Sequence, residues 1–267
     1  KKFQRKLVTD FFAWQADIVK KYKRDDQFIT HNFDFEWHDY SYGIQPEVNQ
    51  YEAAKCMDIA GCDIYHPSQS NLSGREITVC GNIARGIKGD NYLILETEAA
   101  GNHPWLPYPG QLRLQAISHI ANGACMVEYW HWHSIHNAIE SYWKGVLSHD
   151  LRPNRLYKEC SVIGNELKKY GHRLVNLKKT NRFAVIADNA SLTGLNEFKL
   201  NNESDSNYNT VFRWLCDALY LMNIEYDVIP ADPALFASYE NILVPALYSA
   251  TDDVLNALNE FVANGGN

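Results

Sequence analysis

The chain has 267 residues, of which 46% are hydrophobic and 21% charged, so its composition is that of a globular protein and not of a disordered one. It contains no run of about 18 apolar residues, which excludes a membrane-spanning helix, and we expect no membrane partner. Its 25 Lys and Arg residues against 32 Asp and Glu residues give a net charge of −7. This charge argues against nucleic acid as a partner, because phosphate binding requires clustered cations.

Four short apolar runs follow an N-terminal helix that the spacing predicts over residues 3–22. They begin at near-regular intervals, have the length of strands and end in polar or aromatic residues: 28–30, 62–65, 92–95 and 125–129. Helical patterns fill the intervals, the clearest over residues 110–123 and another over residues 50–59. This repetition indicates βα units around a parallel sheet. In such folds the chemistry gathers in the loops after the carboxyl ends of the strands.

The second part of the chain shows another α/β pattern. A long helix is predicted over residues 154–177, and a polar break at residues 178–181 follows it. We place a domain boundary there, which divides the chain into residues 1–180 and residues 181–267. Strands and helices of the second part are predicted over residues 182–188, 208–222, 224–229, 241–244 and 252–263.

The six cysteines occur singly, without a C-x-x-C pair, and most have apolar neighbours. This pattern is typical of reduced, buried thiols and gives no support to a structural zinc site. We therefore expect a cytoplasmic protein. The cysteines are Cys56, Cys62, Cys80, Cys125, Cys160 and Cys216.

Aromatic residues are abundant, with 7 Trp, 16 Tyr and 11 Phe, and several cluster outside any periodic core pattern. The clusters lie at residues 37–40, at Trp105 and at residues 129–133. Aromatic rings stack on the C–H faces of sugars, and neighbouring polar groups can bond to the sugar hydroxyls. Core packing is the common alternative for any single aromatic side chain. For three clusters at the ends of strand-like runs we favour a carbohydrate-binding surface.

The sharpest candidate site is Glu96, which directly follows the apolar run of residues 92–95. A carboxylate at the end of a parallel strand can attack the anomeric carbon of a sugar as a nucleophile. Alternation along the strand places Glu96 and Glu98 on one side, provided that the extended conformation continues past Glu96. A retaining glycosidase needs two carboxyl groups ~5–5.5 Å apart. The alternative is a structural Glu that pairs with an Arg or caps a helix.

Three further residues are candidates for sugar binding, and each has an ordinary alternative. Asn32 can bond to a sugar hydroxyl or hold the nucleophile, but Asn is also common in turns. Trp105 can stack on a substrate or simply cover its own loop. Glu140 follows the aromatic run of residues 129–133 and can bind two sugar hydroxyls. An exposed Glu near a helix start is equally common.

A metal site is a further alternative, because three His side chains can hold a catalytic zinc and His131, His133 and His136 lie close together in the sequence. No acidic residue at a familiar spacing accompanies them, and the flanking tryptophans favour a carbohydrate surface, so we expect no metal. Because no G-x-G-x-x-G or P-loop pattern is present, we expect no nucleotide and no other cofactor.

Taken together, a series of short motifs resembles glycoside hydrolase family 42, the β-galactosidases. The motifs run through the whole chain in order and at suitable spacing, and this collective order is more specific than any one of them. They are Ile29-Thr30-His31-Asn32-Phe33, Asp63-Ile64-Tyr65-His66-Pro67, Leu95-Glu96-Thr97-Glu98 with Trp105 downstream, Pro109-Gly110-Gln111-Leu112-Arg113-Leu114, Ala121-Asn122-Gly123-Ala124, Tyr129-Trp130-His131-Trp132, Glu140 and Val146-Leu147-Ser148-His149-Asp150. The segment from Phe183 onward resembles the second domain of that family, a flavodoxin-like α/β module that helps to build a trimer.

The resemblance implies an α/β fold: the C-terminal half of a (β/α)8 TIM barrel over residues 1–180, then an incomplete flavodoxin-like trimerisation domain over residues 181–267. It implies a retaining β-galactosidase that hydrolyses terminal β-D-galactosides and forms a homo-oligomer, a trimer in the full-length family. Glu96 matches the nucleophile of the family, at the end of the seventh barrel strand. The residues that match or adjoin its galactose site are Asn32, Tyr65, Trp105, Trp132 and Glu140.

The resemblance also implies that one catalytic group lies outside this chain. The acid/base Glu of the family follows an Asn at the end of the fourth barrel strand, and no Asn-Glu pair here can fill that role. Only about 180 residues precede the second domain, whereas a complete barrel takes ~250. The chain lacks an initiator Met, and its final Gly265-Gly266 is typical of a turn into a further strand. We therefore expect a piece of a longer enzyme, inactive in isolation.

The chain departs from the family pattern at two positions near the sugar site. His133 stands where the family usually has Arg, and Trp143 stands where it usually has His. The alternative function is a non-catalytic carbohydrate-binding or oligomerisation module that keeps a barrel-like sequence. A weaker alternative treats residues 183–267 as a flavodoxin-like domain for a small ligand, against which the missing phosphate-binding Gly loop counts.

Overall fold

The computed structural model is an α/β structure with two parallel sheets, and it describes residues 1–35, 43–66, 73–101, 106–175, 177–199 and 207–267. The strands are β1 Asn32–Asp34, β2 Gly61–Asp63, β3 Tyr92–Glu98, β4 Ala124–Trp130, β5 Phe183–Ile186, β6 Tyr226–Ile229 and β7 Asn241–Leu243. The helices are α1 Lys2–Lys20, α2 Gln50–Ala53, α3 Arg75–Lys88, α4 Gln111–Ala121, α5 Arg155–Tyr170, α6 Asn189–Glu197, α7 Tyr208–Leu221, α8 Pro233–Phe236 and α9 Asp252–Ala263. Within these described ranges, no helix combines the length and the apolar character needed to cross a bilayer.

The two sheets have different strand orders. The first sheet runs β1-β2-β3-β4, so neighbouring strands follow each other along the chain, and all three pairs are parallel. The second sheet runs β6-β5-β7, with its first strand in the centre and both pairs parallel. Parallel pairs need crossover connections, and the helices between the strands supply them. The predicted α/β class with parallel sheets is confirmed.

The first strand lies further along the chain than the apolar pattern predicts. The pattern predicts a strand over residues 28–30, but the ladder with β2 begins at Asn32. The Ile29 N–H instead donates to Asp58 Oδ2 over 2.7 Å, and the Ile29 carbonyl accepts from the Asp58 N–H over 2.8 Å. Because Asp58 already takes both backbone hydrogen-bonding groups of Ile29, the predicted position of the strand was wrong.

Between Ile94 and Thr97, strand β3 carries one extra residue relative to both of its neighbours, whereas at Tyr92 and Leu93 the extra residue lies in β4. Cys62 and Asp63 are adjacent in β2, yet they pair with Ile94 and Glu96, and the ladder with β4 shifts over the same stretch. An extra residue in one strand interrupts the alternation of its side chains between the two faces. The prediction that Glu96 and Glu98 lie on one side assumes a regular strand, and this stretch of β3 is not regular.

Helix α2 is shorter than the pattern over residues 50–59 predicts. Asn49 caps its first turn, with the side-chain oxygen accepting from two backbone N–H groups. The helix then tightens into a 3-10 turn at Ala54–Cys56 and ends where Met57 becomes extended. The predicted helix over residues 154–177 is likewise interrupted, because α5 ends in a 3-10 turn instead of continuing.

One hydrophobic core joins the two sheets. Helix α3 contacts both of them, and Gly86 lies so close to β6 that a Cβ atom there would come within 1.7 Å of the Val228 carbonyl oxygen. The core is built from buried side chains of both halves of the chain, among them Val79, Ile83, Ile94, Val185, Leu192, Phe212 and Val228. A second, smaller core lies between the other face of the second sheet and helices α8 and α9.

The six cysteines are free, but they are not all buried. Cys62, Cys80 and Cys216 are buried, whereas Cys56 and Cys160 are only partly so. Cys125 is exposed, so the prediction of a buried thiol was wrong there. The reason is its place in β4, which is an outer strand of the first sheet.

Candidate active site

Polar side chains from three neighbouring strands meet around Glu96. Asn32 in β1 donates from Nδ2 to Glu96 Oε2 over 3.0 Å. The Tyr65 hydroxyl, just beyond β2, donates to Glu96 Oε1 over 2.5 Å. Each carboxylate oxygen therefore has its own donor, which holds the carboxyl plane in one orientation. The sequence predicts all three as site residues, and the structure brings them into direct contact.

Tyr65 lies in a segment, residues 64–66, that is fastened to β3 on both sides of it. The three bonds run from Ile64 N to the Glu96 carbonyl (3.0 Å), from Thr97 Oγ1 to the Ile64 carbonyl (2.7 Å) and from His66 N to Glu98 Oε2 (3.2 Å). The partners on β3 are three consecutive residues, so the segment follows the strand closely. Tyr65, in the middle, is thereby directed toward Glu96.

Burial and the Glu96 carboxylate together keep Tyr65 protonated. Desolvation raises the pKa of Tyr65 far above its ordinary value, and the hydrogen bond to Glu96 raises it further. The ring of Trp143 packs edge-on against the Tyr65 ring, with centroids 5.3 Å apart. Tyr65 is therefore a fixed hydrogen-bond donor to Glu96 throughout the physiological pH range.

Glu98 has different surroundings from Glu96, although only one residue separates them. Glu98 is 5% exposed, and burial raises its pKa to about 8. Its partner His66 lies with Nε2 3.2 Å from the Nε2 of His119 in α4, and burial lowers the pKa of both imidazoles. Glu98 thus belongs to a buried polar cluster, formed by Glu98, His66 and His119, that lies beside the Glu96 site.

The segment after β4 is tied to the end of β3 by backbone bonds. The Ala100 N–H donates to the Lys144 carbonyl over 3.0 Å. The Trp143 N–H donates to the Glu140 carbonyl over 2.9 Å, so the turn that carries Glu140 also carries the ring that packs on Tyr65. The structure therefore places the Glu140 turn next to the residues around Glu96.

The remaining predicted aromatic residues are less closely linked to Glu96. Trp132 is 60% exposed, and its ring lies edge-on to Tyr157 with centroids 6.1 Å apart. An exposed indole can offer a face for stacking. Trp105 and residues 37–40 lie outside the described residues.

The three histidines of the metal alternative contact backbone carbonyl oxygens. His131 Nδ1 lies 2.6 Å from the carbonyl oxygen of His133, and His133 Nδ1 lies 3.0 Å from that of Ser134. His136 Nε2 lies 2.7 Å from the carbonyl oxygen of His149. In the part of the chain that the structure describes, no three His, Cys, Asp or Glu side chains are arranged to hold a metal ion. These contacts favour structural roles for the three histidines.

His119 was not predicted as part of the site, and Trp143 was noted only as a departure from the family pattern near the sugar site. For His119 a signal exists in α4, where His119 and Gln115 share the buried face with Leu112 and Ala116. Polar side chains on the apolar face of a helix indicate a buried hydrogen-bonded network. For Trp143 the departure from the family pattern is a sign that its surroundings are unusual.

A separate cleft of about 920 Å³ lies between α3 and the second sheet. Its walls include Arg85 and Asp227, which form an ion pair, and Asp227 also accepts a hydrogen bond from the Tyr239 hydroxyl over 3.0 Å. Glu96 does not line this cleft. The charged groups at its centre are already paired with each other, so we assign no chemistry to it.

Two family models match the chain. Residues 1–170 match glycoside hydrolase family 42, described as beta-galactosidase, and residues 181–267 match the beta-galactosidase trimerisation domain. Beta-galactosidase LacA of Lactobacillus acidophilus is 25% identical over 273 residues, which is 100% of this chain and 39% of that protein. Beta-galactosidase BgaA of Planococcus sp. is 25% identical over 274 residues, which is 100% of this chain and 38% of that protein.

The fold is similar to solved structures of beta-galactosidases. Beta-galactosidase from Bacillus circulans sp. alkalophilus superposes with a TM-score of 0.87 at 25% identity, covering 99% of this chain and 38% of that one. A catalytic mutant of Gan42B, a GH42 beta-galactosidase from G. stearothermophilus, gives a TM-score of 0.89 at 22% identity, covering 99% and 40%. The chain thus spans about 40% of the length of these relatives. Because the first family model covers residues 1–170, well over half of the sequence, the chain belongs to glycoside hydrolase family 42.

Proposed function

We propose that Glu96 is the nucleophile of a retaining β-galactosidase that hydrolyses terminal β-D-galactosides. The observation that carries this proposal is the pair of donors on its carboxylate, Asn32 at 3.0 Å and Tyr65 at 2.5 Å. In a retaining glycosidase the nucleophile attacks the anomeric carbon and forms a covalent glycosyl-enzyme. Donors on both oxygens fix the direction of attack, and each oxygen keeps a further lone pair for it.

Sugar recognition is assigned to the loops around Glu96. Trp132 offers an exposed indole for stacking, and Glu140 can bind two hydroxyls from the turn that packs beside Tyr65. Trp105, which follows β3 in the sequence, completes the set. The support for these three roles is the chemistry of the side chains together with the family membership.

The first sheet fits the second half of an eight-stranded barrel. Its four strands are parallel and lie side by side in chain order, as consecutive barrel strands do. The outer strands β1 and β4 would then pair with strands of the first half, and Glu96 would end the seventh strand. In this proposal residues 1–180 form the half barrel, and residues 181–267 form part of a flavodoxin-like trimerisation domain.

The acid/base carboxyl of the retaining mechanism, needed ~5–5.5 Å from the nucleophile, is placed outside this chain. Glu197 and Glu260, which follow Asn residues, lie in α6 and α9 beside the second sheet. Glu203, which also follows an Asn, lies outside the described residues. Glu98 is buried and holds the backbone of His66, so it is not offered to a leaving group.

The direct test is covalent labelling combined with substitution of Glu96. The protein expressed from its complete reading frame should hydrolyse an aryl β-galactoside, and a 2-deoxy-2-fluoro-galactoside should label Glu96. Glu96→Gln should lower kcat by about a thousandfold or more, because an amide cannot form the glycosyl ester. Glu166→Gln, which removes an exposed carboxylate paired with Arg113, is the matched control and should keep full activity.

The isolated 267-residue chain should hydrolyse the same substrate poorly or not at all, because a poor leaving group needs a proton from an acid, worth ~10²–10⁴-fold. A label on a carboxyl group other than Glu96, or full activity of Glu96→Gln, would show that the nucleophile has been misassigned. Robust turnover by the isolated chain would show that the acid/base lies within it.

A second candidate function is a non-catalytic module for carbohydrate binding or oligomerisation. The match of residues 181–267 to a trimerisation domain favours its oligomerisation part. This candidate predicts a trimer by light scattering, and galactose binding that survives Glu96→Gln. Galactose binding without any covalent labelling of the complete protein would favour it over the enzyme.

A further inference from the structure

The buried polar cluster joins three elements directly beside Glu96, and the proposed reaction uses none of its members. Glu98 lies in β3, His66 follows β2 and His119 lies in α4, with exposures of 5%, 0% and 0%. Glu98 Oε2 accepts from the His66 N–H over 3.2 Å, and the two Nε2 atoms of His66 and His119 are 3.2 Å apart. Burial of three titratable side chains is costly unless each is hydrogen-bonded, so their placement requires a reason.

The Thr97 hydroxyl links the segment of residues 64–66 to Glu98. It donates to the Ile64 carbonyl oxygen over 2.7 Å and lies 3.3 Å from Glu98 Oε2, its second and more distant acceptor. Burial favours the protonated form of Glu98, because it raises the pKa of Glu98 to about 8. A neutral Glu98 can hold the backbone without adding a second negative charge beside Glu96.

The contact between His66 and His119 links the cluster to helix α4. A hydrogen bond between two Nε2 atoms needs one proton, so one ring donates and the other accepts. Burial lowers the pKa of both rings, and two neutral rings satisfy this requirement. Among the residues that the structure describes, Gln115 from α4 and Tyr129 from β4 also lie near Glu98. The ring of His66 is therefore anchored to α4 while its backbone is anchored to Glu98.

We propose that Glu98 is a positioning residue that acts on the reaction through Tyr65. Its neutral side chain holds the backbone of His66, so the preceding residue keeps its hydroxyl on Glu96. The inference rests on the proposed role of Glu96 as nucleophile. Without this tie the segment of residues 64–66 loses one of its three bonds to β3, and Tyr65 is free to turn away.

The test compares Glu98→Ala, Glu98→Gln and Tyr65→Phe in the protein expressed from its complete reading frame, with an aryl β-galactoside as substrate. Glu98→Ala should lower kcat/KM about tenfold, the loss expected when the Tyr65 hydroxyl no longer donates to the Glu96 carboxylate. Glu98→Gln keeps a neutral acceptor for His66 and should stay within about threefold of wild type. The double variant of Glu98→Ala and Tyr65→Phe should lose no more than Tyr65→Phe alone, because both changes remove the same donor.

Crystal structures of the variants give a readout that does not depend on activity. The 2.5 Å bond between the Tyr65 hydroxyl and Glu96 should be lost in Glu98→Ala and kept in Glu98→Gln. If Glu98→Ala does not fold, Glu98→Asp replaces it, because the shorter side chain cannot reach His66. A wild-type protein without galactosidase activity would refute the proposed function alone, and the crystal structures would still decide the positioning role. Three results would overturn the positioning role. The first is an intact bond between Tyr65 and Glu96 in Glu98→Ala. The others are additive losses in the double variant, or equal loss of activity in Glu98→Ala and Glu98→Gln.

Discussion

The buried carboxyl group of Glu98 predicts that the protein loses stability as the pH rises through neutrality. Burial raises the pKa of Glu98 from an ordinary 4.5 to about 8 in the folded state. Between pH 4.5 and about pH 8, Glu98 keeps its proton in the folded protein but has lost it in the unfolded chain. The contribution to stability is therefore complete below pH 4.5 and is lost as the pH rises toward 8. The slope is about 1.4 kcal/mol per pH unit, or about 2 kcal/mol between about pH 6.5 and pH 8.

Glu98→Gln removes the titrating group and isolates this effect. The free energy of unfolding in urea is measured for both proteins from about pH 6.5 to pH 9, and the difference should shift in favour of the variant by about 2 kcal/mol before it levels off. Glu166→Gln is the control, because Arg113 lowers the pKa of that exposed carboxyl group and so keeps its titration below this range. Its difference from wild type should stay constant. A constant difference for Glu98→Gln as well would refute the argument that Glu98 is protonated in the folded protein.

Two further predictions concern stability. Burial lowers the pKa of His119 to about 4, so the stability that its neutral ring contributes is present above its ordinary 6.5 and lost as the pH falls toward 4. His119→Gln should therefore flatten the fall in urea midpoints between these pH values, and an unchanged slope would contradict this. Gly86→Ala should destabilise by about 1–3 kcal/mol or more, since its Cβ would collide with the Val228 carbonyl. Gly164→Ala in α5, with open space around it, should stabilise the protein by about 0.5–1 kcal/mol. The unfolding temperature should therefore fall for Gly86→Ala and rise for Gly164→Ala, and changes of the same sign in both variants would refute this contrast.

Elements could be predicted from the sequence where local signals and tertiary packing agree. Helix α9 lies where its pattern predicts, because two Asp residues favour the start of a helix and the apolar residues recur at helical spacing. The run of residues 28–30 is equally strand-like, but its backbone bonds to a turn at Asp58 that is distant in the sequence. Helix α3 received no predicted bounds, although Ile77, Ile83 and Ile87 recur on one face and most of its residues are buried.

Some features of the candidate site could likewise be predicted from the sequence, and others depend on tertiary packing. Glu96 could be predicted because a carboxylate near the carboxyl end of a buried parallel strand reaches the functional edge of the sheet. Asn32 was expected just after a strand over residues 28–30, whereas the structure places it at the start of β1. The extra residue in β3 depends on how that strand pairs with both neighbours. The raised pKa of Glu98 depends on its burial by tertiary packing. No local pattern encodes either of these features.

The core that joins the two sheets bears on how the chain can be divided. Helix α3 packs on both sheets, and any side chain at residue 86 would push β6 away through the carbonyl of Val228. If either sheet unfolded alone, helix α3 would be exposed to water. The two sheets should therefore unfold in one cooperative step. Truncation of the chain near residue 180 would therefore expose this shared core to solvent instead of removing a linker. The shorter product should aggregate through the apolar surface that the cut uncovers.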